Sequence, residues 1–264
     1  MKKILATFAV LLFFGMHNHV FAWGKTGHRI IAEIAERHLT SKTKRNIQKI
    51  SGKQSLAYWA DWSDFIKSDP ELNRTTSSWH YLNFPEKLNR EQFDSVLYAS
   101  SDEFLYKRTE LIINQLKNRK DDPKEVQQQN LYFLIHLMGD LHQPLHVGRE
   151  EDLGGNKLEI KWFNNTTNIH FFWDTKFVEF QEYSYSEYAH ILDFHSKKDN
   201  AMMASGELED WFYDSYKKVE FIYDNVKKGD NLRYEYDYKH KAILEEQLLK
   251  GGLRLAKVLN KIFG

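Results

Sequence analysis

The chain has 264 residues, with 37 lysines and arginines against 37 aspartates and glutamates, 15% aromatic residues and no cysteine. Balanced charge excludes a broad basic surface that would hold nucleic acid by phosphate neutralisation alone; a polyanionic substrate would have to be held locally, by metal charge, a few side chains and aromatic stacking. The lack of cysteine excludes disulfides and thiolate metal sites, leaving packing and any folded-state metal to supply stability.

In chain order, residues 1–22 read as an export signal. Lys2 and Lys3 precede an apolar stretch from Ile4 to Met16, and Val20-Phe21-Ala22 fits a cleavage site. Cleavage after Ala22 leaves Trp23 first, in a periplasmic or secreted protein. The apolar stretch is short for a membrane span and no other long one follows, so no stable membrane association is expected. Residues 23–264 contain no linker or repeat and suit one large domain, expected to be a monomer.

Helical periodicity dominates this domain. Gly27 to His38 carries Ile30, Ile31, Ile34 and Ala35 on a stripe that continues to Leu39, and Thr40-Ser41 starts a second helix that Gly52 ends. Ser55 to Ile66 reads as helical up to Asp69-Pro70, and His80 to Pro85 as a loop. Helices are expected near 93–118 and 123–142, then an irregular segment around Gly154-Gly155-Asn156. Lys157 to Phe163 alternates apolar and polar residues before Asn164-Asn165, which predicts a short strand or hairpin. Helices resume over 168–180, 186–195, 203–227 and 239–260, with a loop at Gly229-Asp230-Asn231. The predicted class is mainly α.

Two spacings carry chemistry. His136 and Asp140 are four apart, so a helix sets an imidazole and a carboxylate on one face, and Pro144 breaks the helix so that His146 approaches from another direction. His170 and Asp174 repeat the i, i+4 pair. The candidate donors are His28, Asp64, His80, His136, Asp140, His146, His170 and Asp174, with the α-amino group and carbonyl oxygen of Trp23 after cleavage. Imidazole and carboxylate without thiolate suit zinc, and the set is large enough for three ions with positions left open for water or substrate.

With these residues in hand, the chain resembles the zinc-dependent single-strand nucleases and 3′-nucleotidases of fungi, plants and bacteria, related to bacterial zinc phospholipase C. The resemblance rests on Trp23-Gly-Lys-Thr-Gly-His28, Trp62-Ser-Asp64-Phe-Ile-Lys67, Trp79-His-Tyr-Leu-Asn83, His136-Leu-Met-Gly-Asp-Leu-His-Gln-Pro-Leu-His146, Gly154-Gly-Asn156 and His170-Phe-Phe-Trp-Asp174. It implies the multi-helix fold of that group, with at most a short β-hairpin. It also implies one zinc on Asp64, His80, His136 and Asp140, a second on Trp23 and His28 bridged by Asp140, and a third on His146, His170 and Asp174. The implied reaction is attack of an activated water on a phosphodiester phosphorus, with Asp64 and Lys67 as catalytic residues and Gly154, Gly155 and Asn156 binding the base. The implied substrates are single-stranded DNA and RNA, cut to 5′-nucleotides, and 3′-nucleotides.

Other readings stand beside these. Lys67 has the composition of a surface ion-pair residue as much as of a phosphate contact, and Gly-Gly-Asn is common in turns. Trp59-Ala60-Asp61 resembles the same motif as Trp62-Ser63-Asp64; spacing favours Asp64 as the ligand and leaves Asp61 as a solvated helix residue. His38, His142, His190, His195 and His240 match no ligand position and are assigned structural or surface roles. A zinc phospholipase C is the nearest rival function, opposed by aspartate rather than glutamate at Asp174 and by Gly154-Gly-Asn156. A non-catalytic exported zinc-binding protein is the rival of a different class.

Overall fold

The computed structural model describes residues 23–264. The export signal expected over residues 1–22 lies outside the described residues. Helices α1 (Lys25–Arg37), α2 (Ser41–Ser51), α3 (Leu56–Trp59), α4 (Trp62–Phe65), α5 (Pro70–Thr76), α6 (Arg90–Ala99), α7 (Leu105–Asn118) and α8 (Lys124–Asp140) form the first part of the chain. A small sheet follows, made by β1 (Glu159–Trp162) and β2 (Asn165–Asn168). After it come α9 (Ile169–Phe171), a π-helical turn (Phe172–Lys176) and α10 (Phe177–Glu179), which together run as one helical stretch. Helices α11 (Tyr185–Leu192), α12 (Lys197–Met203) and α13 (Leu208–Asp224), a third strand β3 (Asn231–Leu232) and α14 (Tyr234–Phe263) complete the fold.

Helix α8 is the spine. From Leu131 to Asp140 every residue is buried, which an amphipathic surface helix cannot satisfy but a central one can. Helices α1, α7 and α14 pack around it. Each offers a stripe, as in Ile30, Ile31, Ile34 and Ala35 on α1, or Leu105, Thr109, Ile112 and Leu116 on α7. Helix α14, 30 residues long and so about 45 Å, lies against α1. Its Gly252 permits the close approach, because a Cβ there would sit 2.5 Å from the Ile34 side chain.

Sequence-level stop signals work locally. Thr40 accepts the amide of Thr43 to start α2, and Gly52, at φ 78°, ends it. Asp69 caps α5 with Pro70 in its first turn. The hairpin pairs Glu159 with Asn168 and Trp162 with Asn165, and Phe163 and Asn164 both take the positive φ that a two-residue turn requires.

Several expectations are corrected. The helix expected over 93–118 is two, because Ser101 accepts the amides of Glu103, through its hydroxyl, and Phe104, through its carbonyl, in a turn of its own. Residues 55–66 hold two short helices rather than one. Helix α12 lies mostly in the gap left between the helices expected over 186–195 and 203–227, and the second of these starts only at Leu208, after Gly206 with φ 83°. Strand β3 joins β1 in parallel, pairing Trp162 with Leu232, so the sheet has three strands and exceeds a hairpin. No helix among the described residues is long and apolar enough to cross a membrane.

Candidate metal centre

Six segments converge on one buried place. Helix α1 delivers His28, α4 delivers Asp64, the turn after α5 delivers His80, α8 delivers His136 and Asp140, the 3₁₀ turn Pro144–Val147 delivers His146, and the run from α9 delivers His170 and Asp174. Their donor atoms form three groups, each with atoms within 4.8 Å of one another: His28, His136 and Asp140; Asp64, His80 and His136; His146, His170 and Asp174. The i, i+4 spacing on α8 sets His136 Nε2 3.5 Å from Asp140 Oδ2. Asp140 is the hub, with His80 Nδ1 at 2.9 Å, His28 Nε2 at 3.4 Å and His146 Nδ1 at 3.7 Å.

The third group depends on the π turn. Its wider winding still sets His170 Nε2 3.2 Å from Asp174 Oδ2, and His146 Nε2 lies 3.5 Å from Asp174 Oδ1. A π turn inside a helix is a costly irregularity found mostly at functional sites.

Backbone carbonyls fix the rings. The Nδ1–H of His136 donates to Ala60 O at 2.7 Å, that of His146 to His80 O at 2.6 Å and that of His170 to Gly154 O at 2.6 Å. Each bond selects the tautomer whose Nε2 lone pair faces the cluster, the arrangement found around metal-bound histidine. Gly154, at φ 62°, is needed for this, since a Cβ would collide with the Leu145 carbonyl. Gly139 is needed on the other side, where a Cβ would lie 2.5 Å from His28 Nδ1; the His28 ring instead stacks on His136 at 3.7 Å.

The donors fit a cation. His28 Nδ1 and Nε2, the Nε2 atoms of His80, His136, His146 and His170, Asp140 Oδ1 and Asp174 Oδ2 are all buried without a hydrogen bond of good geometry. At about 1–3 kcal/mol for each unsatisfied buried group, such a set would consume most of the ~5–15 kcal/mol by which a domain is stable. Cations would satisfy the lone-pair atoms among them, one nitrogen of each imidazole and the two carboxylate oxygens.

Electrostatics agree with this at His28, His80, His136 and Asp140. Burial, followed by the neighbouring His136, pulls the His28 imidazole well below its ordinary pKa; burial does the same to His80 and lowers His136 to about 4. The rings are therefore neutral, as metal ligands must be. Burial and then Asp64 push the Asp140 carboxyl well up, the mark of an anion lacking its cation. Burial opposes the charged forms of Asp174 and His170 too, but their mutual attraction outweighs it, lowering Asp174 to about 2 and raising His170.

Trp23 is fully buried against Gly27, and the next amide, of Gly24, donates to the Asp174 carbonyl at 2.6 Å. The Trp23–Gly24 segment is thus pinned to the third group. Lys67 Nζ lies 2.7 Å from Asp64 Oδ1, with its side chain 13% exposed, so it is a buried-rim ion pair rather than a surface one. Gly155 N–H donates to Asp152 Oδ1 at 2.8 Å, and Asn156 Nδ2 to Leu153 O at 2.8 Å; the loop is a turn, and its Gly154 also orients His170.

Asp61 is not solvated, contrary to the sequence expectation. It is 8% exposed, paired to Arg29 Nη2 at 2.7 Å, and burial raises its carboxyl to about 6. It belongs to none of the three groups, whereas its neighbour Ala60 supplies the carbonyl that holds His136. The remaining histidines lie elsewhere: His38 meets Asp193 at 2.8 Å, His240 stacks on Tyr236 at 3.7 Å, and buried His142 bonds Met138 O at 2.7 Å and Arg254 Nη1 at 3.1 Å.

Gln143 is the residue that sequence reasoning missed. Fully buried, it accepts Leu145 N at 2.7 Å and donates Nε2 to Asp174 Oδ1. Only its place between Asp140 and His146 hinted at this.

A mainly helical fold enclosing three adjoining imidazole–carboxylate groups defines a protein with a candidate polynuclear metal centre. Comparison with known families places it further: the S1/P1 Nuclease family matches residues 23–264. The chain belongs to that family. It is 26% identical to Endonuclease 2 of Arabidopsis thaliana over 285 residues, covering 99% of this chain and 97% of the relative. It is 28% identical to Endonuclease 5 of the same plant over 295 residues, with 97% and 95% covered, and 28% identical to Nuclease S1 of Aspergillus oryzae over 273 residues, with 92% of each covered. The protein is accordingly a hydrolase of the nuclease class, and the phospholipase reading loses its ground.

Proposed function

We propose that this protein is a zinc-dependent phosphodiesterase that hydrolyses single-stranded DNA and RNA to 5′-nucleotides and removes the phosphate of 3′-nucleotides. The observation that carries the reading is the set of three adjoining donor groups, two of them sharing His136 and the third brought next to Asp140 by His146, in a chain of the nuclease family. The N/O donor set suits three zinc ions: Asp64, His80, His136 and Asp140 hold one, His28 and the Trp23 terminus with Asp140 a second, and His146, His170 and Asp174 a third. When bound, zinc supplies the positive charge that acidifies water and offsets the charge on phosphoryl oxygens.

The chain's own residues do the rest. Asp64 sits at the rim beside Lys67, placed to hold a proton of the attacking water. The Lys67 ammonium faces a phosphoryl oxygen, as a point charge rather than a fork. Asn156, with its amide committed to Leu153 O, keeps its side-chain carbonyl for a base, and Gly154 and Gly155 bring backbone close to it. A duplex would have to lose pairing and stacking to present such a base, so unpaired strands are preferred. The working form is a soluble exported monomer that starts at Trp23, whose free amine completes the cage only once the signal is removed.

The test is a mature chain beginning at Trp23, assayed for metal content and for products from single- and double-stranded oligonucleotides. Three zinc ions per chain and 5′-phosphorylated products from the single strand are expected. Stoichiometric zinc without hydrolysis of either nucleic acid would leave the non-catalytic reading in its place.

A further inference from the structure

Arg108 on α7 is partly buried, yet it makes no ion pair and no hydrogen bond among the described residues, and its Nε is buried without a partner. Its guanidinium lies 4.0 Å from the centroid of the Trp79 ring. Trp79 immediately precedes His80 of the metal centre and is backed by Phe133 at 4.8 Å, one turn before His136 on α8. The first turn of α7 is stitched to the same place, since Leu105 N donates to Tyr81 O at 3.2 Å and Arg108 follows Leu105 by three residues. Asp102 and Glu103 act on Arg108 only through space; both are exposed and neither pairs with it.

An arginine with five donors is seldom left half-buried without an acceptor. Stacking on Trp79 contributes roughly 0.5–2 kcal/mol and occupies one face of the guanidinium; Nε is buried, while Nη1 and Nη2 have no partner among the described residues and are not buried, so the Nη1–Nη2 end is the free donor edge. That edge is the part that grips two oxygens of a phosphodiester. The scissile phosphate belongs to the metal centre and Lys67. We propose that Arg108, held flat on Trp79, is a subsite for a backbone phosphate of the single strand flanking the scissile one. The proposal rests on the nuclease reading above and deepens it: the substrate is an oligonucleotide with at least two phosphates, engaged beyond the cleaved bond.

The experiment compares the wild type with Arg108→Gln and Arg108→Lys on two substrates, a single-stranded oligonucleotide and thymidine 3′-monophosphate, which has no second phosphate. For Arg108→Gln, KM for the oligonucleotide should rise about tenfold with kcat retained, and the salt dependence of log affinity should flatten by about 0.7. Hydrolysis of the mononucleotide should not change, the melting temperature should hold, and Arg108→Lys should recover part of the affinity. Equal losses on both substrates, no loss on either, or an unaltered salt slope would overturn the subsite. Binding of a cleavage-resistant phosphorothioate oligonucleotide, followed by anisotropy, separates this from the parent reading. A wild type that cleaves nothing but binds the strand through Arg108 refutes the nuclease reading alone, and one that binds no strand refutes the subsite.

Discussion

Gln143 shows how much a single uncharged side chain can govern here. Its amide ties Asp174 to the turn that carries His146, so two ligands of the third group are aligned by one residue that binds no ion itself. Partners of this kind typically change metal affinity by about 10–100-fold. With the three zinc ions proposed above, Gln143→Ala is expected to weaken the one held by His146, His170 and Asp174 by that order while the other two remain, as read by zinc titration against a chelating dye; uniform loss of all three would refute the assignment. At this scale the sequence was informative where spacing is local. His136 with Asp140, and His170 with Asp174, are legible because a helix converts four residues into one face. Gln143 was not, because its partner lies 31 positions on, and Asp61 was misread because burial by Arg29 and the core leaves no trace in a local motif.

Among elements, the join between α13 and α14 is electrostatic. Asp214 accepts from Lys250 at 2.7 Å and from Arg254 at 2.9 Å, and Arg254 reaches on to His142 at 3.1 Å. Burial pushes the Asp214 carboxyl up, but these two cations outweigh it and bring it down to about 2. A carboxyl whose pKa is depressed in the folded state adds stability above its unfolded pKa, and that stability is lost as pH falls through the folded value. The contribution, on the order of 2 kcal/mol, should therefore vanish between about pH 4 and pH 2. Urea titrations of Asp214→Asn should be weaker than the wild type at pH 6 and converge with it near pH 2; parallel curves across that window would contradict the pairing. The long helices α1, α13 and α14 were legible from their periodicity and α8 as a helical run although it is buried all round, whereas the break between α6 and α7 was not, because the polar run Ser100-Ser101-Asp102 also suits the exposed face of a continuous helix.

At the scale of the molecule, binding to the folded state alone links metal to stability. At ligand concentrations 100 times Kd, one site adds about 2.7 kcal/mol, worth roughly 5–10 °C in a chain of this size. Chelation should lower the melting temperature of the mature chain by at least that amount, and zinc should restore it; a melting curve indifferent to chelator would mean that the buried donors are satisfied some other way.

The packing of α1 against α14 has a temporal consequence. His28 rides on α1, and the surface that seats α1, including Gly251 and Gly252, is encoded far downstream of it in the sequence. Until α14 has been made, the helix that carries His28 lacks the surface against which Ile31 and Ile34 pack.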